Sequence, residues 1–266
     1  MQLTVCVHTE VIPERAAFEG LFSFSRRANE LGLRPVICVM TPKFPVVARM
    51  MAACDLDENG YEARLRQLSR HALLGYHGHL MLPAVPGRDR PAPGATNSHW
   101  RFSLPDLRPA TTEDDVPELL APQFDAEIGW LRERGLGTFA YSAGWWWLPS
   151  SVIGLLETRG FRFDLSTKPF DPYDTLGGTH RPRLERDAEA LWLRPGIEEI
   201  PSVVGLLTAP PKLVYWLGRA RAKGIRRAAL HMHDYDLAGG PEPALRNVRF
   251  LAGLPFVRWF EPIPRP

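Results

Sequence analysis

Three places in this 266-residue sequence put two metal-binding or proton-moving side chains one residue apart. They are His8-Thr9-Glu10, His77-Gly78-His79 and His231-Met232-His233, and together they use five of the chain's eight histidines. Each lies at the end of a short apolar run of strand type. A strand turns alternate side chains to one face, so the members of each doublet can aim at the same point. A catalytic zinc or similar ion takes three His or carboxylate ligands and keeps a position for water. It acidifies that water and polarises a carbonyl, while a flanking base and acid move the protons. A single His-x-His is readily an accident of strand composition; three doublets at strand ends are harder to explain that way.

Other residues fit around this set. Gly78 suits a close approach to the backbone, or a simple bulge. Tyr141-Ser142-Ala143-Gly144-Trp145-Trp146-Trp147 follows a strand. Flat faces such as Trp145 and Trp146 can stack on a sugar, although a tryptophan there can equally pack under a barrel rim. Asp164 ends Phe161-Arg162-Phe163-Asp164 and is placed to orient a histidine or to cap a turn. His99, beside Trp100 and Arg101, lies in the Pro/Gly-rich stretch 83–109, which is either part of a pocket or a surface excursion.

The elements that must position these groups alternate along the chain. Strands are predicted at 3–8, 35–40, 75–82, 138–142, 161–164, 190–193 and 228–233. Helical patterns fall at 14–31, 46–74, 116–134, 150–159 and 211–223. Gly135 and Gly160 are placed as stops for two of them. Such alternation argues for a mostly parallel sheet, wound open or closed into a barrel. The stretches 83–109 and 167–186 are long for a compact domain and follow strand ends, where α/β folds place their sites. With no repeat and no composition boundary, residues 1–266 are read as a single catalytic domain.

Bulk composition excludes several classes. Lys+Arg 32 against Asp+Glu 30 leaves a charge of +2, too balanced for a nucleic-acid footprint. The basic run Arg219, Arg221, Lys223, Arg226, Arg227 ends a predicted helix, where cations complement the dipole. Cys6, Cys38 and Cys54 show no disulfide or zinc-site spacing, and the first two sit in strand-like runs. There is no transmembrane-length apolar segment and no signal-peptide pattern, so a cytoplasmic location is the expectation.

Taken in order, these motifs resemble the polysaccharide deacetylases (carbohydrate esterase family four), in a divergent bacterial form. The likeness runs over most of the chain as short pieces. His8-Thr9-Glu10 stands at the family's acidic pair, Gly75-Tyr76-His77-Gly78-His79 at its histidine motif, and Tyr141–Trp147 at its aromatic turn. Gly160–Asp164 and His233-Asp234-Tyr235-Asp236-Leu237 follow. The resemblance implies a distorted (β/α)7-type barrel and a metal-dependent hydrolase that removes an acetyl (acyl) group. It implies Glu10, His77 and His79 as ligands of a divalent metal, with zinc expected and cobalt, nickel or iron(II) compatible. It also implies His233 as the acid, with Asp164 holding that histidine protonated. His231, His99, Trp145 and Trp146 are the substrate-binding candidates.

The chain departs from the family's pattern at three points. The usual base is an aspartate where His8 stands. The usual histidine spacing would need a histidine at Met81. An arginine that pairs with the base is replaced in Ser142-Ala143-Gly144. A neutral histidine base gains nothing from a neighbouring cation, so these changes are coherent if His8 is the base; an extra ligand is the other reading. The expected substrate is an N-acylated amino sugar or a glycosylated small molecule. A non-sugar amide is the near alternative, and a non-catalytic carbohydrate-binding protein on the same barrel is the reading from another class. A nucleotide-binding sheet is weakened by the lack of a Gly-rich loop after the first strand.

Overall fold

The computed structural model describes residues 1–79, 81–83, 107–109, 120–137, 139–144, 150–167 and 196–263. Strand β1 (Gln2–His8) leads to helix α1 (Arg15–Glu30), β2 (Val36–Val39), α2 (Pro45–Ala53), α3 (Glu58–Ser69) and β3 (Leu73–Gly78). A separate antiparallel pair, β4 (Met81–Pro83) with β5 (Leu107–Pro109), comes next. Then follow α4 (Ala121–Glu133), β6 (Ala140–Ala143), α5 (Ser150–Thr158), β7 (Phe163–Asp164), β8 (Glu198–Glu199) and β9 (Ser202–Gly205). The chain finishes with α6 (Pro210–Ala222), β10 (Arg227–His233), a short 3-10 helix (Asp234–Leu237), α7 (Glu242–Ala252) and β11 (Arg258–Trp259).

The main sheet has the order β8-β7-β6-β3-β2-β1-β10-β9, and all its pairings are parallel. Its two ends belong to one stretch of chain, because only Ile200 and Pro201 separate β8 from β9. The Ile200 N–H donates to the Asp164 carbonyl at 2.8 Å, and the Ala229 N–H donates to the Pro201 carbonyl at 2.8 Å. One kinked strand therefore pairs with β7 by its first half and with β10 by its second. The sheet curls into a seven-position barrel, as the (β/α)7 expectation required.

The period-2 alternation sorts side chains into two layers. Leu3, Val5 and Val7 of β1 pack outward against the helices, with Ile37, Val39, Leu74, Tyr76 and Tyr141 of neighbouring strands. Cys6, Val36, Cys38, Leu73 and Ala140 fill the narrow interior floor. Helix α1 presents buried Ala17, Leu21, Phe24 and Ala28 at spacings of four, three and four, the stripe expected of a helix on a sheet. Truncating such a core leucine costs about 2–5 kcal/mol.

Several boundaries differ from the sequence reading. The predicted helix 46–74 is two helices, broken where Asp55 takes φ 50°, and its last two residues belong to β3. The strand foreseen at 75–82 starts earlier and stops at Gly78. The kinked β8–β9 strand, α7 and β11 were not foreseen. The strand expected at 190–193 lies outside the described residues, as do most of the two long stretches. Gly135 and Gly160 do stop their helices, at φ 64° and 78°.

Candidate metal and acyl-transfer site

The barrel register carries the histidine doublets to one end. His8 sits opposite His233 of β10 on one side and Cys38 of β2 on the other. Cys38 in turn sits opposite Gly75, two residues before His77. Because that middle layer holds only a thiol and a glycine, the rings of His8 and His77 meet above it. They stack with centroids 4.7 Å apart and planes 12° from parallel. His233 closes the other side, edge-on to His8 at 5.2 Å.

Donor atoms of Glu10, His77 and His79 lie within 4.8 Å of one another, and all three residues are buried. The Nε2 atoms of His77 and His79 are 3.0 Å apart, and His79 Nε2 is 3.8 Å from Glu10 Oε1. Ligands placed tetrahedrally about 2.0–2.1 Å from a zinc ion stand about 3.4 Å from each other, so these separations bracket such a site. The protonation chemistry agrees. His77 Nδ1 is 2.9 Å from the Ser142 carbonyl, which can only accept. Nδ1 must carry the proton, leaving an Nε2 lone pair aimed inward. Burial lowers the His77 pKa to about 3, against the raising effect of that carbonyl. Burial, then the neighbouring His77 and His233, holds His79 well below the usual histidine range. Both rings are neutral at pH 7, the form that binds a metal.

The supporting residues escaped the sequence reading. Ser142 Oγ is 2.8 Å from His8 Nε2, so one residue orients His8 by its hydroxyl and His77 by its carbonyl. Gly144 serves a close approach. A Cβ there would stand 2.5 Å from the His79 ring. Gly78 does allow a close approach, by the Tyr141 and Tyr76 rings. Phe44 stacks near the His79 ring, with centroids 6.0 Å apart.

His233 is partly open to solvent, its side chain 24 % exposed. Its Nε2 is 3.8 Å from Glu10 Oε1 and its Nδ1 is 3.9 Å from Asp236 Oδ2. Its ring stacks on Tyr235 at 4.7 Å. Asp164 is buried and accepts from the backbone N–H and hydroxyl of Ser166. Glu10 and Asp236 are carboxylates beside His233. His231, opposite Cys6 in the register, lies one layer below the His8–His233 pair. His99, Trp145 and Trp146 lie outside the described residues. Cys6 and Cys38 are buried with their sulfurs 3.8 Å apart, as small apolar residues of the floor.

No family model matches the sequence. No curated protein matches it either. Solved structures do match. An assigned polysaccharide deacetylase of Mycobacterium smegmatis superposes with a TM-score of 0.52 at 16% identity, over 96% of this chain and 85% of that one. The fold is that of a polysaccharide deacetylase. A family 4 carbohydrate esterase from Streptomyces lividans, solved with acetate, gives a TM-score of 0.46 at 11% identity, over 96% of this chain and 90% of that one. A 4-alpha-glucanotransferase from Thermococcus litoralis gives 0.47 at 11% identity, with 37% of its own chain covered. Among the described residues, no helix is long and apolar enough to cross a membrane.

Proposed function

We propose that this deacetylase-fold chain is a metal-dependent hydrolase that removes an acetyl or related acyl group from an N-acylated amino sugar or glycosylated small molecule. The observation that carries this reading is the group Glu10, His77 and His79, buried with its donor atoms within 4.8 Å, with His8 and His233 beside it. A divalent ion held by these three, zinc being our choice, supplies Lewis acidity to the scissile carbonyl and acidifies water.

The remaining work falls to this chain's own side chains. His8 is the base, taking the proton of the attacking water. Its Nε2 lies 2.8 Å from an uncharged hydroxyl, Ser142, while the group with ligand spacing among the described residues is Glu10, His77 and His79. An arginine at that place would disfavour the protonated imidazole that a base must become; a serine does not. His233 gives its proton to the nitrogen as the C–N bond breaks, releasing carboxylate and amine. Glu10 and Asp236 beside it favour its charged form.

The test is acetate release by purified protein from N-acetylated amino sugars and from simple non-sugar amides, with and without chelator, alongside metal analysis. Chelator-sensitive release from sugars alone supports the full reading. Release from simple amides at equal efficiency removes the sugar. One bound metal with no turnover on any acylated compound would favour a binding protein instead.

A further inference from the structure

Asp234 is fully buried, follows the proposed acid His233 directly, and takes no part in the proton transfers above. Its carboxylate forks onto the chain that carries Glu10. Oδ1 accepts from the Glu10 N–H at 2.9 Å, and Oδ2 accepts from the Val11 N–H at 2.9 Å. Oδ1 also accepts from the Tyr235 N–H at 3.0 Å. Backbone N–H groups thus meet both oxygens; burial pushes this carboxyl up to about 7, and these donors pull the other way.

We propose that Asp234 is the positioning residue that fixes Glu10 as a metal ligand, and so ties the proposed ligand and the proposed acid into one rigid unit. Glu10 lies just past the end of β1, and this fork holds both its own N–H and that of Val11, fixing the backbone from which its side chain leaves. The other end of the tie is equally fixed. The 3-10 helix that begins at Asp234 presses on α1 so closely that a Cβ at Gly20 would stand 2.0 Å from the Leu237 carbonyl oxygen. The inference rests on the proposed metal site.

The experiment compares the metal-free wild type with Asp234→Asn, Asp234→Glu and a stability control, Val248→Ala, taken from the buried face of α7. Zinc affinity is read by competition with a chromophoric chelator, and the ligand geometry by the visible absorption of cobalt(II)-loaded protein. Asparagine sets an N–H against N–H donors; glutamate keeps the carboxyl group and moves the oxygens by one carbon. Each should weaken zinc about 10–100-fold, the usual effect of losing a ligand's outer partner. The cobalt spectrum should shift. The control should lower the melting temperature and leave affinity within about twofold. Affinity and spectrum unchanged in Asp234→Asn overturn the proposal; should that variant not fold, the same result in Asp234→Glu does so. A wild type that binds neither ion would fail the metal reading itself, and the positioning role with it.

Discussion

Strand β3 separates two buried polar clusters, and its adjacent residues Tyr76 and His77 each belong to one. On the helix side, Glu127 of α4 is buried among hydrogen-bond donors. Thr41 Oγ1 is 3.4 Å away, Gln123 Nε2 is 3.0 Å away, and the Tyr76 hydroxyl completes the set. Burial dominates and pushes its carboxyl up to about 7. On the barrel side, His77, His79 and Glu10 bring nitrogen and oxygen lone pairs together. The one carbonyl near His77 uses the proton at Nδ1, and the facing Nε2 atoms have at most one proton to place between two neutral rings. The first cluster is completed by the protein's own neutral donors. The second gathers two neutral rings and a carboxylate, a set of lone pairs that a divalent cation would complete. Burial and a shifted pKa are common to both, so neither marks function; the balance of donors and acceptors does.

Removing a lone pair from the second cluster should produce the largest effect. His77→Ala is expected to lose stoichiometric zinc and to reduce acyl release to background, with both read on the same preparation. Full activity in a metal-free His77→Ala protein would erase the distinction between the clusters. His8→Ala sharpens it, since a base is not a ligand. The expectation is a fall in kcat of about 10²–10⁴-fold with the metal content kept. Loss of the metal in that variant would make His8 a ligand.

Gly144→Ala should act next, without touching any donor atom. The added methyl needs space that the His79 ring occupies, so either the ring leaves its place or β6 shifts. Overpacking of this kind costs about 1–3 kcal/mol. Zinc affinity should fall about 10–100-fold, as for a lost outer partner. Affinity equal to wild type, with the melting temperature unchanged, would show that His79 is not held by that contact.

The two clusters also differ in how far the sequence disclosed them. His8, Glu10, His77, His79 and His233 were legible because period-2 spacing at strand ends is a local signal. Ser142 and Gly144 were not, because their partners lie 134, 65 and 65 residues away and only the barrel register brings them together. Glu127 reads in sequence as one more helix carboxylate. The order of strands was legible from alternating patterns, yet the closing strand β8–β9 was missed. It is two short pieces around Ile200 and Pro201, and Glu198-Glu199 has none of the β-branched character that marks strands. The break at Asp55 was missed because the apolar spacing continues on both sides of it.

The smallest effect, and the one most specific to the first cluster, belongs to Glu127→Gln. The Glu127 carboxyl titrates at about 7 when folded, above its ordinary value of 4.5. A raised carboxyl pKa means that the folded state holds the proton more tightly. That contribution is complete below pH 4.5 and is lost as pH rises through about 7. Glutamine mimics the protonated form at every pH. The variant and the wild type should therefore melt together near pH 4.5, and the variant should melt higher at pH 8. The gap corresponds to an upper bound of about 3 kcal/mol, from about 1.4 kcal/mol per pKa unit. Zinc content and acyl release should stay at wild-type levels throughout, since no ligand or proton donor is touched. A pH-independent gap would mean that Glu127 is ionised in the fold, and that the helix-side cluster also gathers positive charge from its surroundings.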